Sequence, residues 1–231
     1  MLKPPQSDAP PMWFLIVIAG LLVGLGYPSV GFSEEANRAR PLLTIGLKDL
    51  RAVLPTDAHL LVETLAIEHF LDELDEEPPD WATVYGHGHH DPGHDERLFN
   101  LNRERDAKRD GNPVLQWRVT FVWPGELSDY DPRSGGFRVA VGPKFNPTRW
   151  GIVRFKSEEV PSNLMAIPHP SQREALQSRV EKGQRIEVDV ALTGKLIPEE
   201  SIMYDFSHDE EGRGLIMPVV RIERVDYVLA K

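Results

Sequence analysis

Residues 171–196 read SQREALQSRVEKGQRIEVDVALTGKL, and the period of their apolar positions changes midway. The first half is helical. Ser171 and Glu174 have the spacing of a capping box, in which each side chain satisfies a backbone N–H at the helix start. Pro170 lies just before that cap. Leu176 and Val180 are four apart and share one face. Gly183 falls just past the last turn, where a left-handed residue is wanted. From Ile186 the period becomes two. Ile186, Val188, Val190 and Leu192 point one way, and Glu187, Asp189 and Ala191 the other. A strand with one apolar and one polar face is half buried, as in a barrel wall or a sandwich.

Three strand-like runs precede this unit and one follows it. In Leu115 to Trp123, residues Trp117, Val119, Phe121 and Trp123 face one way, with Arg118 and Thr120 opposite. Phe137 to Val141 sets Phe137, Val139 and Val141 against Arg138. Arg149 to Lys156 is the third run. Pro218 to Leu229 is the fifth, and its alternation slips near Arg224, which predicts a β-bulge. The order β-β-β-α-β-β over residues 115–229 outlines a small closed barrel; a sandwich with an intervening helix stays open.

The phrase KGQRIEVDVALTGKL, followed by VVRIERVDYVL, resembles the second half of the small exported OB-like domains found in many bacterial envelope proteins. The likeness covers about Leu115 to Leu229, half of the chain. It implies a mainly β fold whose C-terminal part is a five-stranded OB-like barrel. It also implies a binding module, with ligand loops between strands one and two and between strands four and five.

Charge divides the chain unevenly. The net charge is −10, and there is no cysteine. Residues 34–113 hold 18 acids against 9 bases, whereas residues 114–231 hold 17 against 16. The acidity therefore sits ahead of the barrel. Without cysteine, disulfides, thiolate metal sites and a cysteine nucleophile are excluded.

Met12 to Tyr27 is an uncharged apolar run of 16 residues. With Pro28 to Phe32 it approaches the roughly 20 residues that span a bilayer. Two readings stand side by side: a cleaved export signal ending near Gly31 and Ser33, and an uncleaved hydrophobic helix that anchors the chain. Both expect a location outside the cytoplasm, in the periplasm or on the outer face of the inner membrane. Three parts follow: residues 1–33 as signal or anchor, 34–113 as an acidic helix and His-rich loop region, and 114–231 as the barrel. In the middle part, Asp57 to Glu77 reads as a helix capped by Asp57, with an apolar stripe of Leu61, Leu65, Phe70, Leu71 and Leu74. Its acidic C-terminal end opposes the helix dipole and predicts fraying. Residues 80–113 read as an exposed loop carrying one short helix.

Two stretches carry candidate chemistry. His87, His89, His90 and His94, with Asp91 and Asp95, place six nitrogen and oxygen donors within nine residues. Neutral imidazole suits Zn, Cu or Ni. No spacing there matches a standard zinc motif, and a His-rich tract is also what a solvated loop looks like. In the second stretch, Met203, Tyr204 and Phe206 read either as an extra short strand or as an exposed contact patch. The adjacent Ser207-His208-Asp209 contains three triad residue types, but a triad needs spatial geometry. Nucleic acid is disfavoured as a partner, because residues 124–135 and 197–217 are acidic and repel phosphate. The leading expectation is a non-enzymatic envelope binding or interaction module with no required cofactor. Its partner would be another envelope protein, and its N-terminal segment would meet the membrane. A metal-binding role for His87 to His94 is the alternative, and a hydrolase near His208 a lower one.

Overall fold

The computed structural model describes residues 39–88, 91–159, 162–200, 203–207 and 212–230. In chain order the strands are β1 (Arg40–Leu43), β2 (Ala58–Leu60), β3 (Arg118–Asp131), β4 (Gly136–Val141), β5 (Asn146–Thr148), β6 (Gly151–Val153), β7 (Lys156–Ser157), β8 (Met165–Ile167), β9 (Glu187–Leu196), β10 (Met203–Phe206), β11 (Gly214–Met217) and β12 (Val219–Leu229). The helices are α1 (Thr64–Asp75), α2 (Trp81–Tyr85), α3 (His94–Arg109) and α4 (Pro170–Glu181). The apolar run Met12 to Tyr27 lies outside the described residues. No helix among those described is long and apolar enough to cross a membrane.

Six strands close into a barrel in the order β1-β8-β4-β3-β9-β12, with β12 returning to β1. The alternating strand read from the sequence, β9, lies between β3 and β12 and is antiparallel to both. Ile186, Val188, Val190 and Leu192 are at most 2% exposed. They meet Val119, Phe121, Trp123, Phe137 and Tyr227 in one core. The outer side is partly covered as well. Leu50 and Leu54, from a 3-10 segment at Leu47–Ala52 and its exit, pack on Val122, Ala191 and Val228. That covering is why Ala191, on the nominally polar side of the strand, is buried.

The expected bulge is present. The β9–β12 register shifts between Ile222 and Arg224, opposite Gly194 and Thr193. A Cβ on Gly194 would collide with the Arg221 carbonyl, so glycine is what lets the two backbones close up at the shift. α4 keeps Leu176 in the core with Val180 packed against it, and Gly183 leaves the helix at φ +69°. Its cap differs from expectation. His169 is the N-cap and its Nδ1 accepts from the Ser171 N–H at 3.4 Å, while Pro170 fills the first helical position. A proline there has no N–H to lose and its φ is preset for the helix.

Three expectations are corrected. The barrel has six strands, not five: β1, from the 34–113 region expected to precede the barrel, lies parallel between β8 and β12, pairing Leu42 with Tyr227 and Arg40 with Ala166. The third barrel strand is the three-residue β8, not Arg149 to Lys156. The latter run is interrupted by Gly151 at φ +129° and gives β6, which joins β5, β11 and β10 in a separate four-stranded sheet. That sheet is assembled from the segments between β4 and β8 and between β9 and β12. Third, α1 starts at Thr64 rather than Asp57, and Glu63 at its N-cap makes no side-chain capping bond. Asp57 instead pairs with Arg118, and the residues after it form β2 alongside β3.

The acidic end of α1 does not face the dipole unaided. Arg109 binds Asp75 through Nε at 2.7 Å and Nη2 at 2.5 Å, and Arg105 donates to the Asp75 and Glu77 carbonyls at 2.9 and 2.8 Å. These cations come from α3, a 16-residue helix where a short one was expected. Asp95 and Glu96 in its first turn and Lys108 and Arg109 in its last complement its dipole. Tyr204 of β10 completes the cluster, its hydroxyl bonded to Asp75 and its ring beneath Arg109. Burial pushes the Tyr204 phenol far up, with the Asp75 carboxylate adding to it.

Candidate functional site

The His-rich loop is organised by Asp91. Its carboxylate takes Arg97 Nη2 at 2.8 Å, the Gly93 N–H at 3.0 Å and the His87 N–H at 3.2 Å. Arg97 first, then the two N–H groups, hold its carboxyl well below the usual carboxylate range. His94 opens α3, lies flat on Phe206 with ring centroids 4.8 Å apart, and sets Nδ1 3.0 Å from Asp95 Oδ1. His87 and Asp95 are exposed, whereas His89 and His90 lie outside the described residues. Among the described residues no group of three His, Cys, Asp or Glu side chains is placed to hold a metal. A cation recruiting Asp91 would compete with Arg97 for its carboxylate.

Met203, Tyr204 and Phe206 belong to β10, which pairs antiparallel with β11. Tyr204 is 1% and Phe206 5% exposed. These two rings are core rather than an exposed patch, because Trp81 packs against both. Ser207 is buried and its N–H donates to the Arg213 carbonyl at 2.8 Å. His208 and Asp209 lie outside the described residues.

A third place was not expected from the sequence. Trp117 sits at the entry to β3, and His59 of the adjacent β2 lies flat on it, with ring centroids 3.7 Å apart and planes at 7°. Phe70 of α1 supports the indole at 6.2 Å. Together with Leu61, Ala66 and His69 they line a cleft of about 490 Å³. Arg51 forms one wall. Its guanidinium is fixed by the Thr56 carbonyl at 3.0 Å and by the Ala58 carbonyl. Asp57 on the rim is tied to Arg118, which also donates to Glu223 at 2.9 Å. Burial, then the charge of Arg51, lowers the His59 pKa below its ordinary 6.5, with Asp57 opposing. His59 is exposed while Trp117 is half buried, so the outer face of the stack is open to solvent.

In the sequence Trp117 shows only as part of an apolar face, and His59 and Arg51 carry no motif. The one local sign was the short A-H-L-L-V run between Pro55 and the α1 start. Set against known proteins, the chain matches no family model, no curated relative and no solved structure.

Proposed function

We propose that this chain is a non-enzymatic binding module of the bacterial envelope, an OB-like barrel held near the membrane through Met12 to Tyr27. The OB-like reading is supported by strand order. With β1 set aside, the cyclic order is β3-β4-β8-β12-β9, β1 bridging β8 and β12, and α4 lies between β8 and β9 in the chain. This order is the one expected of an OB-like Greek-key barrel with its helix after the third strand. Its interior is filled with side chains, so a ligand has to bind outside it.

The observation that carries the reading is the open His59–Trp117 stack in a cleft of about 490 Å³. Aromatic faces exposed in a concavity with a few fixed polar groups are the usual makings of a small-molecule site. The test is a fragment screen on the full chain in detergent micelles, read by NMR shifts of the Trp117 indole and His59 imidazole. Hits that move both rings and weaken on His59→Ala support the reading. A screen whose hits all map elsewhere overturns it. Membrane fractionation checks the tether, and an intact N-terminus recovered only in the soluble cytosolic fraction would refute that part.

A further inference from the structure

We propose that the His59–Trp117 cleft takes a small planar carboxylate, its ring stacked on His59 and its charged group held by Arg51. This rests on the binding reading above and names the ligand class. Arg51 is a prepared cation. Two of its nitrogens are already committed to the Thr56 and Ala58 carbonyls, which fixes the plane of the guanidinium one residue from the stack. A guanidinium carries five N–H donors, so donors remain for a carboxylate, and pre-fixing the fork reduces the ordering cost of using them.

The other charges at the cleft are spoken for. Asp57 on the rim is paired with Arg118, which it shares with Glu223, and His69 has Glu73 at 3.7 Å. Arg51 makes no ion pair with an acid within 4 Å among the described residues, so the cleft has one cation to offer. The stack supplies the flat partner: Phe70, Trp117 and His59 lie in series, and only the last has an open face. A ring alone would be sequence-tolerant stacking, and a charge alone would be a surface contact. Their adjacency selects a molecule with both.

The test compares three probes on the full chain in micelles: 2-naphthoate, 2-naphthamide and cyclohexanecarboxylate. NMR shifts of the Trp117 indole and the His59 ring give the affinities. Naphthoate is expected to bind with a Kd of about 1 mM, ordinary for so few atoms. The amide, which keeps the ring and lacks the charge, is expected to be about tenfold weaker. Cyclohexanecarboxylate is expected to be weaker by a similar factor. Arg51→Gln should bring naphthoate down to the amide, and His59→Ala should weaken both aromatic probes alike. Arg51 also braces β2, so a second measurement uses the unaltered chain: added salt should weaken naphthoate and leave the amide unchanged. Equal affinity of naphthoate and amide, or no salt effect, overturns the proposal. If neutral planar fragments shift His59 and Trp117 while naphthoate does not, this inference falls and the binding site stands. If nothing shifts them, both fall.

Discussion

The carboxamide of Asn102 grips the backbone of Tyr204 on both sides, accepting from its N–H and donating to its carbonyl, each at 2.8 Å. The amide thus does for the outer edge of β10 what a neighbouring strand would do. Its Nδ2 also donates to the Leu98 carbonyl at 3.0 Å, which fixes the rotamer. An edge strand left open is a template for pairing with another chain. Asn102→Ala is therefore expected to cost about 1–3 kcal/mol, since two backbone groups lose their partner. Hydrogen exchange should quicken in β10 and β11 while β9 and β12 stay protected. Uniform loss of protection across the barrel would refute a local clasp.

The Asp75–Arg109 pair is buried on both sides, with side chains 0% and 3% exposed. Removing one partner strands a charge in the core. Asp75→Asn and Arg109→Met are each expected to cost about 3–5 kcal/mol. The triple change Asp75→Leu, Arg109→Met and Tyr204→Phe should recover much of that, because it removes the carboxylate, its guanidinium and the phenol together and leaves Arg105 on its two carbonyl partners. Urea unfolding of the four proteins measures it, and a triple variant less stable than either single variant would refute the coupling.

Gly214 supports the Trp81 indole directly: a Cβ there would run into the ring. Trp81 is also fixed by its Nε1, which donates to the Trp150 carbonyl at 2.6 Å. Gly214→Ala should destabilise by about 1–3 kcal/mol through overpacking. In a Trp81→Leu background the same change should cost much less, and a double-mutant cycle reads the difference.

Protonation of His59 is disfavoured in the fold, so its pKa lies below 6.5. The folded state therefore binds this proton less readily than the unfolded chain does. The resulting stability is fully present above about pH 6.5 and is lost as the pH falls toward the folded value. Arg51→Gln should raise the His59 pKa, because it removes a neighbouring positive charge. An NMR titration of the imidazole decides this, and an unchanged or lower pKa in the variant would contradict it.

β1 closes the barrel wall, so its loss should open it. A chain beginning at residue 39 is expected to fold. One beginning at residue 45 loses the buried Leu42, worth about 2–3 kcal/mol of transfer, and the pairings to Tyr227 and Ala166. It should melt lower and self-associate through the exposed edge. Equal melting temperatures and a monomer by sedimentation would show that β1 is dispensable.

Much of the barrel was legible because local periods encode it. Ile186 to Leu192 announced a one-sided strand, the slip at Arg224 announced a bulge, and Gly183 announced the end of a helix. Each of these signals lies within a few residues of what it specifies. The sequence by itself thus determined the longer strands β3, β4, β9 and β12, the helix α4, and which of their faces turn inward. Tertiary structure alone decided the partners. Three-residue strands such as β2 and β8 are too short to show a period, so their place depends on edges contributed from far along the chain. Asn102 and Tyr204, Asp75 and Arg109, and His59 and Trp117 are joined only when separate elements pack. Nothing in the spacing of such pairs reveals that they meet, because the contact energy depends on distance in space and not on distance along the chain.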